Sequence, residues 1–289
     1  MNRKLAAITA LALLAGCAGT TSAGGQPSAA QRPAASATRV WAPPPANGTF
    51  DYQLGGPYTP RAEVTVVDRD RTARPVEGLY NVCYVNGFQT QPGEASYWRT
   101  KHSKLLLHTS RGRLYKDPDW PDEYLLDTTT AARRAAIATI VNAWIDGCAT
   151  SGFQAVEPDN LDTYTRATDP YTKRPLLTRA GNLALAKLLA QHAHSRGLAI
   201  GQKNTVELGS TGRTQVGFDF AIAEECQVYA ECDDYTRVYG AHVIEVEYTD
   251  TAAHFYSDAC RARGATISVI LRDRDVVPAG RKAYRYKAC

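Results

Sequence analysis

The stretch FQAVEPDNLD, Phe153 to Asp162, opens as a buried strand and closes in acid. Phe153, Ala155 and Val156 are core residue types; Glu157, Asp159 and Asp162 follow within six residues, with no Lys or Arg among them. So short an apolar run reads as a strand covered on both faces, as in a parallel sheet. If the strand persists, alternation puts Glu157 and Asp159 on one side of it. Pro158 between them has no donor for a ladder, so it marks the strand's end or a bulge.

The same pattern recurs outward along the chain. Strands are expected at 63–68, 79–85, 153–156, 198–203, 218–223, 242–248 and 266–271, with weaker candidates at 50–54 and 124–127. Amphipathic helices fall between them. In 131–146 the residues Ile137, Ile140, Val141, Trp144 and Ile145 share a face. Thr178 caps a helix that Gly197 stops, and a third runs over 251–263 to Gly264. Alternating β and α over about 240 residues predicts an α/β fold of one domain, a (β/α)8 TIM-type barrel. No GxGxxG or GxxxxGK[ST] motif follows an early strand, which argues against nucleotide binding.

In such a barrel the C-terminal strand ends converge on the active-site face. Acids or polar groups end most strands here: Asp68, Asp127, Glu157 with Asp159, Lys203 with Asn204, Glu224 with Glu225, Glu245 with Glu247, and Asp273. Adjacent Glu224 and Glu225 should point opposite ways, so one at most enters a shared pocket. Two carboxyls facing one substrate suit glycoside hydrolysis, one as acid and the other as nucleophile or base. A lone acid such as Asp68 or Asp273 reads first as a helix N-cap or a solvated charge. The acid spacing matches no EF-hand loop, so no metal is expected. Lys203 at a strand end admits a Schiff-base lyase or aldolase, although a lysine so placed more often pairs with a carboxylate. His192 and His194 do not share a helix face and read as surface residues.

The N-terminus has the layout of an export signal. Arg3 and Lys4 precede the apolar Leu5–Gly16, too short to span a bilayer. Leu14-Ala15-Gly16-Cys17 resembles a bacterial lipobox. The expectation is a lipoprotein-type signal over 1–16, a lipidated Cys17 with a flexible tether over 17–46, and a catalytic domain over 47–289. That places the protein in a bacterial cell envelope, held to the membrane by its lipid alone. The six remaining cysteines, Cys83, Cys148, Cys226, Cys232, Cys260 and Cys289, suit three disulfides. Fifteen pairings are possible. Cys226 and Cys232 can close a short loop, and Cys260 can pin the terminal Cys289, which would leave Cys83 with Cys148. The formal charge of +4 and the short basic runs exclude a nucleic-acid binder. A monomer without cofactor is expected.

Seven segments resemble the endo-α-1,4-polygalactosaminidases of glycoside hydrolase family 114, the group that includes spherulin-4-like proteins. They are FDYQLGGPY (50–58), CYVNGF (83–88), DWPDEYLLD (119–127), GFQAVEPDNLD (152–162), LAIGQKN (198–204), FAIAEECQVYAECDDY (220–235) and HVIEVEY (242–248). The resemblance implies a metal-free glycosidase on a TIM-type barrel, acting on galactosamine-containing α-1,4 polysaccharide. It implies Asp159 as nucleophile and Glu224 as acid/base, with Glu225 standing where the family pattern has Gln. Glu157 remains an alternative nucleophile. The partner would be a cationic aminosugar polymer, drawn to a carboxylate-lined groove. Asp51, Asp127, Glu157, Asp162, Lys203, Asn204 and Glu247 are candidates for gripping it. Tyr52, Tyr84, Tyr164 and Tyr248 could stack on sugar faces or pack the barrel. A non-catalytic polysaccharide-binding lipoprotein is the competing class.

Overall fold

The structure, a computed structural model, describes residues 40–289. Eight strands pair in parallel in chain order: β1 (Phe50–Gln53), β2 (Val66–Asp70), β3 (Tyr80–Asn86), β4 (Ala155–Asp159), β5 (Ala199–Lys203), β6 (Phe220–Glu224), β7 (Val243–Tyr248) and β8 (Ser268–Arg272). A short β9 (Tyr286–Ala288) runs antiparallel to β8. Helices α1 (Ala95–Lys101) and α2 (Ala131–Ser151) follow β3. α3 (Thr163–Arg166) and α4 (Arg179–Ser195) follow β4, α5 (Cys232–Tyr239) follows β6, and α6 (His254–Arg263) follows β7. The barrel is therefore of TIM type, but the two connections between β1 and β3 carry no helix.

Side chains close the seam between β1 and β8. Ser268 donates to the Gly48 carbonyl at 2.6 Å, Tyr286 of β9 donates to that of Phe50 at 2.9 Å, and buried Arg272 donates to that of Tyr52. These bonds satisfy carbonyls of β1 and of the residue run just before it that the β1–β2 ladder does not reach.

Alternation sorts the core. Phe50, Val66, Val82, Ala155, Ala199, Phe220, Ile222, Ile244, Val246 and Ile270 pack inside the barrel. Cys83, Val85, Val156, Ile200, Ala221, Ala223 and Val269 face outward toward the helices. Gly201 faces in, where a Cβ would meet the Phe220 ring at 2.9 Å.

The disulfides join Cys83 to Cys148, Cys226 to Cys232, and Cys260 to Cys289. Such bonds belong to chains that fold outside a reducing cytosol. The signal and Cys17 lie outside the described residues. The expected tether ends too late at 46. Trp41 already stacks on His194 with ring centroids 4.1 Å apart, and the Ala42 and Pro44 carbonyls bond to Tyr80 and His242.

Two other expectations change. The run at 124–127 is no barrel strand; it makes isolated antiparallel bridges within the long excursion between β3 and α2. His192 and His194, read as surface residues, are half-buried and pair with Asp146 at 2.6 Å and Asp219 at 2.8 Å.

Candidate active site

The ladder between β4 and β5 stops after the Val156–Ile200 pair, while β3 stays paired to β4 as far as Asp159. Pro158, with no N–H, sits in the unpaired part. The Lys203 side chain bridges this opening from β5. Its ammonium lies 2.9 Å from Glu157, 3.2 Å from Asp159 and 3.3 Å from Glu224. Burial alone would lower its pKa, but the charges of Asp159, Glu157 and Glu224 outweigh this and hold it cationic. A lysine so held is a poor amine nucleophile, which removes the physical basis for a Schiff-base reaction.

Asp159 is at the rim. Burial would raise its pKa, yet the net shift is downward. Lys203 supplies a positive charge, the Tyr84 hydroxyl donates at 2.8 Å, and the Asn160 N–H donates at 2.8 Å. Across the opening, Glu224 accepts from the Tyr248 hydroxyl and from the Asn204 amide at 2.9 Å. The Asn204 carbonyl oxygen in turn accepts from the Glu224 backbone N–H at 2.9 Å, so one side chain braces both ends of that residue.

Beneath them Glu157 accepts from the Tyr52 hydroxyl at 2.8 Å, and Lys203 donates to the same hydroxyl at 3.0 Å. Asp68, the β2 residue that read as a cap or loop charge, points into the barrel and is fully buried. Burial first, then the facing Glu157, push its pKa well above the ordinary carboxylate range. Neither Asp68 oxygen has another donor. Burial and the facing Glu157 thus both favour the neutral form of the Asp68 carboxyl.

The rim backbone is strained. Asn160, Asn204, Thr205 and Glu225 all have φ between 46° and 66°, at the ends of β4, β5 and β6. For Glu225 this breaks the expected alternation, so both Glu224 and Glu225 line the cleft. Glu225 binds Arg274 at 2.6 Å, and Arg274 lies 4.0 Å over the Tyr248 ring.

The cleft has a volume of about 630 Å³. Tyr52, Tyr84, Asp159, Asp162, Lys203, Asn204, Glu224 and Tyr248 line it, and Glu157 lies below. Four expected ligands stand elsewhere. Asp51 points out of the barrel and accepts from Tyr58 at 2.6 Å. Asp127 holds Thr129 and Arg133 at the start of α2. Glu247 faces outward from β7 and accepts the Gln227 N–H at 3.0 Å. Tyr164 donates to Glu207 outside the cleft. Tyr52, Tyr84 and Tyr248 spend their hydroxyls on the carboxylates. The exposed rings are Trp120 and Tyr229, 52% and 64% accessible, both lining the cleft. Sequence reasoning missed both, although Trp120 lies in the quoted DWPDEY segment. It also missed Glu123 and Arg166.

The glycoside-hydrolase family GH114 model matches residues 30–289. The chain belongs to this family. It is a glycosidase, and its fold agrees with solved relatives. The structure of Aspergillus fumigatus Ega3 in complex with galactosamine superposes with a TM-score of 0.67 at 21% identity, covering 86% of this chain and 97% of that one. The glycoside hydrolase domain of PelA from Pseudomonas aeruginosa gives 0.55 at 14% identity, covering 81% and 96%. No curated protein sequence matches.

Proposed function

We propose that the protein hydrolyses α-1,4-linked, galactosamine-containing exopolysaccharide by a two-carboxylate mechanism, with Asp159 as nucleophile and Glu224 as acid/base. One observation carries this reading. Lys203 lies 3.2 Å from Asp159 and 3.3 Å from Glu224, so those two oxygens are at most about 6.5 Å apart. That ceiling sits at the lower edge of inverting spacings, about 6.5–9.5 Å, and leaves room for the retaining spacing of about 5–5.5 Å.

In the first step Glu224, protonated, gives its proton to the leaving glycosidic oxygen as Asp159 attacks the anomeric carbon. A glycosyl ester forms on Asp159. Water then attacks that carbon, Glu224 takes the water proton, and Asp159 leaves as carboxylate. The low pKa direction of Asp159 suits a nucleophile and leaving group. Glu157 is better suited to support, being fully buried beneath the cleft. The complex of Ega3 with galactosamine supports an aminosugar substrate. Export and lipid anchorage through Cys17 belong to the same reading; Cys17→Ala is expected to release the protein from membranes.

The test is incubation with partially deacetylated α-1,4-polygalactosamine, followed by mass spectrometry of products and proton NMR of the first-formed anomer. Oligomers with an initial α anomer are expected. Saturable binding without new reducing ends would instead mark a non-catalytic binding protein.

A further inference from the structure

The excursion between β3 and α2 brings further acids into the cleft wall, Asp119 and Glu123. Glu123 is 6% accessible and lines the cavity. Its Oε2 accepts from the Gln89 amide at 2.7 Å and the Asn86 amide at 3.3 Å. Both donors are neutral. Arg166, a guanidinium in the same wall, is already committed. Its nitrogens donate to Asp117, Asp162, Gln89 and Asn160 at 2.6–3.0 Å. Among the described residues no Lys, Arg or His pairs with Glu123.

A buried carboxylate without a counter-cation is costly. Burial first, with the Asp159 charge adding, pushes the Glu123 pKa up to about 7. The amides that hold Glu123 also tie it to the reaction centre. Asn86 is in register with Asp159 and accepts from the Asn160 amide at 3.0 Å. Trp120, in the same wall, gives the flat exposed ring on which the apolar face of a sugar packs. One wall therefore offers a stacking surface and a carboxylate held in place but lacking a cation.

We propose that Glu123 reads the free amine of the substrate, pairing with the 2-ammonium of an unacetylated galactosamine unit that rests on Trp120 beside Asp159. This rests on the glycosidase reading of the cleft. An N-acetyl group at the same position brings no charge and adds bulk against a desolvated carboxylate. The site thus discriminates in favour of the deacetylated unit by a charge-assisted hydrogen bond.

The experiment measures kcat and KM of wild type, Glu123→Gln and Trp120→Ala on fully deacetylated and on fully N-acetylated α-1,4-polygalactosamine. For Glu123→Gln, the ratio of kcat/KM for the deacetylated over the acetylated polymer should fall about tenfold or more, chiefly through KM. Trp120→Ala should weaken both polymers alike and keep the ratio. An unchanged ratio in a folded, active Glu123→Gln enzyme overturns the inference alone. Wild type that cleaves neither polymer overturns the proposed substrate class and this inference with it.

Discussion

Two groups of buried carboxylates lie on opposite faces of the same barrel wall. Inside, Lys203 is divided among Glu157, Asp159 and Glu224, with Asp68, its pKa raised by burial, below. Outside, Arg263 clasps Glu245 through two bonds of 2.9 Å, and Glu247 lies nearby on the same face of β7. The outer pair is nearly balanced and covered by α6. The inner group has more acid than cation and opens on a cleft. Strand parity alone separates the two, since Glu245 and Glu247 alternate with inward Ile244, Val246 and Tyr248. A carboxylate near a strand end therefore means little until its side is known.

The largest expected effect comes from removing each cation. Removing one partner of a buried ion pair costs about 3–5 kcal/mol. Both Lys203→Met and Arg263→Met should thus lower the thermal transition. Lys203→Met should also reduce hydrolysis by about 10³-fold, within the range a positioned acid or base contributes. Arg263→Met should leave the rate per folded molecule unchanged. Similar activity losses in the two variants, assayed below their transitions, would erase the distinction between the faces.

The disulfides sharpen it next. Cys83 and Cys148 are separated by 65 residues, Cys226 and Cys232 by six. Loop-closure entropy assigns about 4 kcal/mol to the first and about 2 kcal/mol to the second. The double Ser variant of the long loop should show the larger fall in denaturation midpoint. That of the short loop, which follows Glu225, should show the larger fall in kcat.

The smallest effect is in pH. Burial pushes Glu247 up to about 7 from an ordinary value near 4.5. Its folded form binds the proton more readily than its unfolded form. Its contribution to stability therefore falls as pH rises from about 4.5 to about 7, and stays lost above that. Glu247→Gln should raise the melting temperature at pH 8 by about 2–4 °C, the shift that ~1 kcal/mol makes in a domain of this size. No gain is expected at pH 5, and an equal gain at both would show that packing rather than charge is responsible.

Much of this was legible in the residues. The β/α alternation predicts the barrel, and the Glu157–Pro158–Asp159 spacing places two acids on one side with a break between them. The three disulfide pairs follow from loop closure and the position of Cys289. Parity applied to HVIEVEY would also have separated Glu247 from Tyr248, since neighbours on a strand cannot both face in. Other features depend on contacts made at long range. Asp68 looks like any strand-end acid until Glu157 meets it across the barrel. The apolar YLLD run has a strand's composition, but its bridges are local to the excursion that also delivers Trp120 and Glu123. Glu225 escapes alternation because its backbone turns left-handed at the rim.

The central claim is that Asp159 and Glu224, set about one lysine ammonium apart, perform the hydrolysis. Release of reducing ends from deacetylated α-1,4-polygalactosamine by wild type, Asp159→Asn and Glu224→Gln, alongside thermal melts of the same preparations, tests it most directly. The account predicts cleavage by wild type, loss of about 10³-fold or more in each variant, and transitions within a few degrees of one another. Two folded variants that keep near wild-type rates would contradict it.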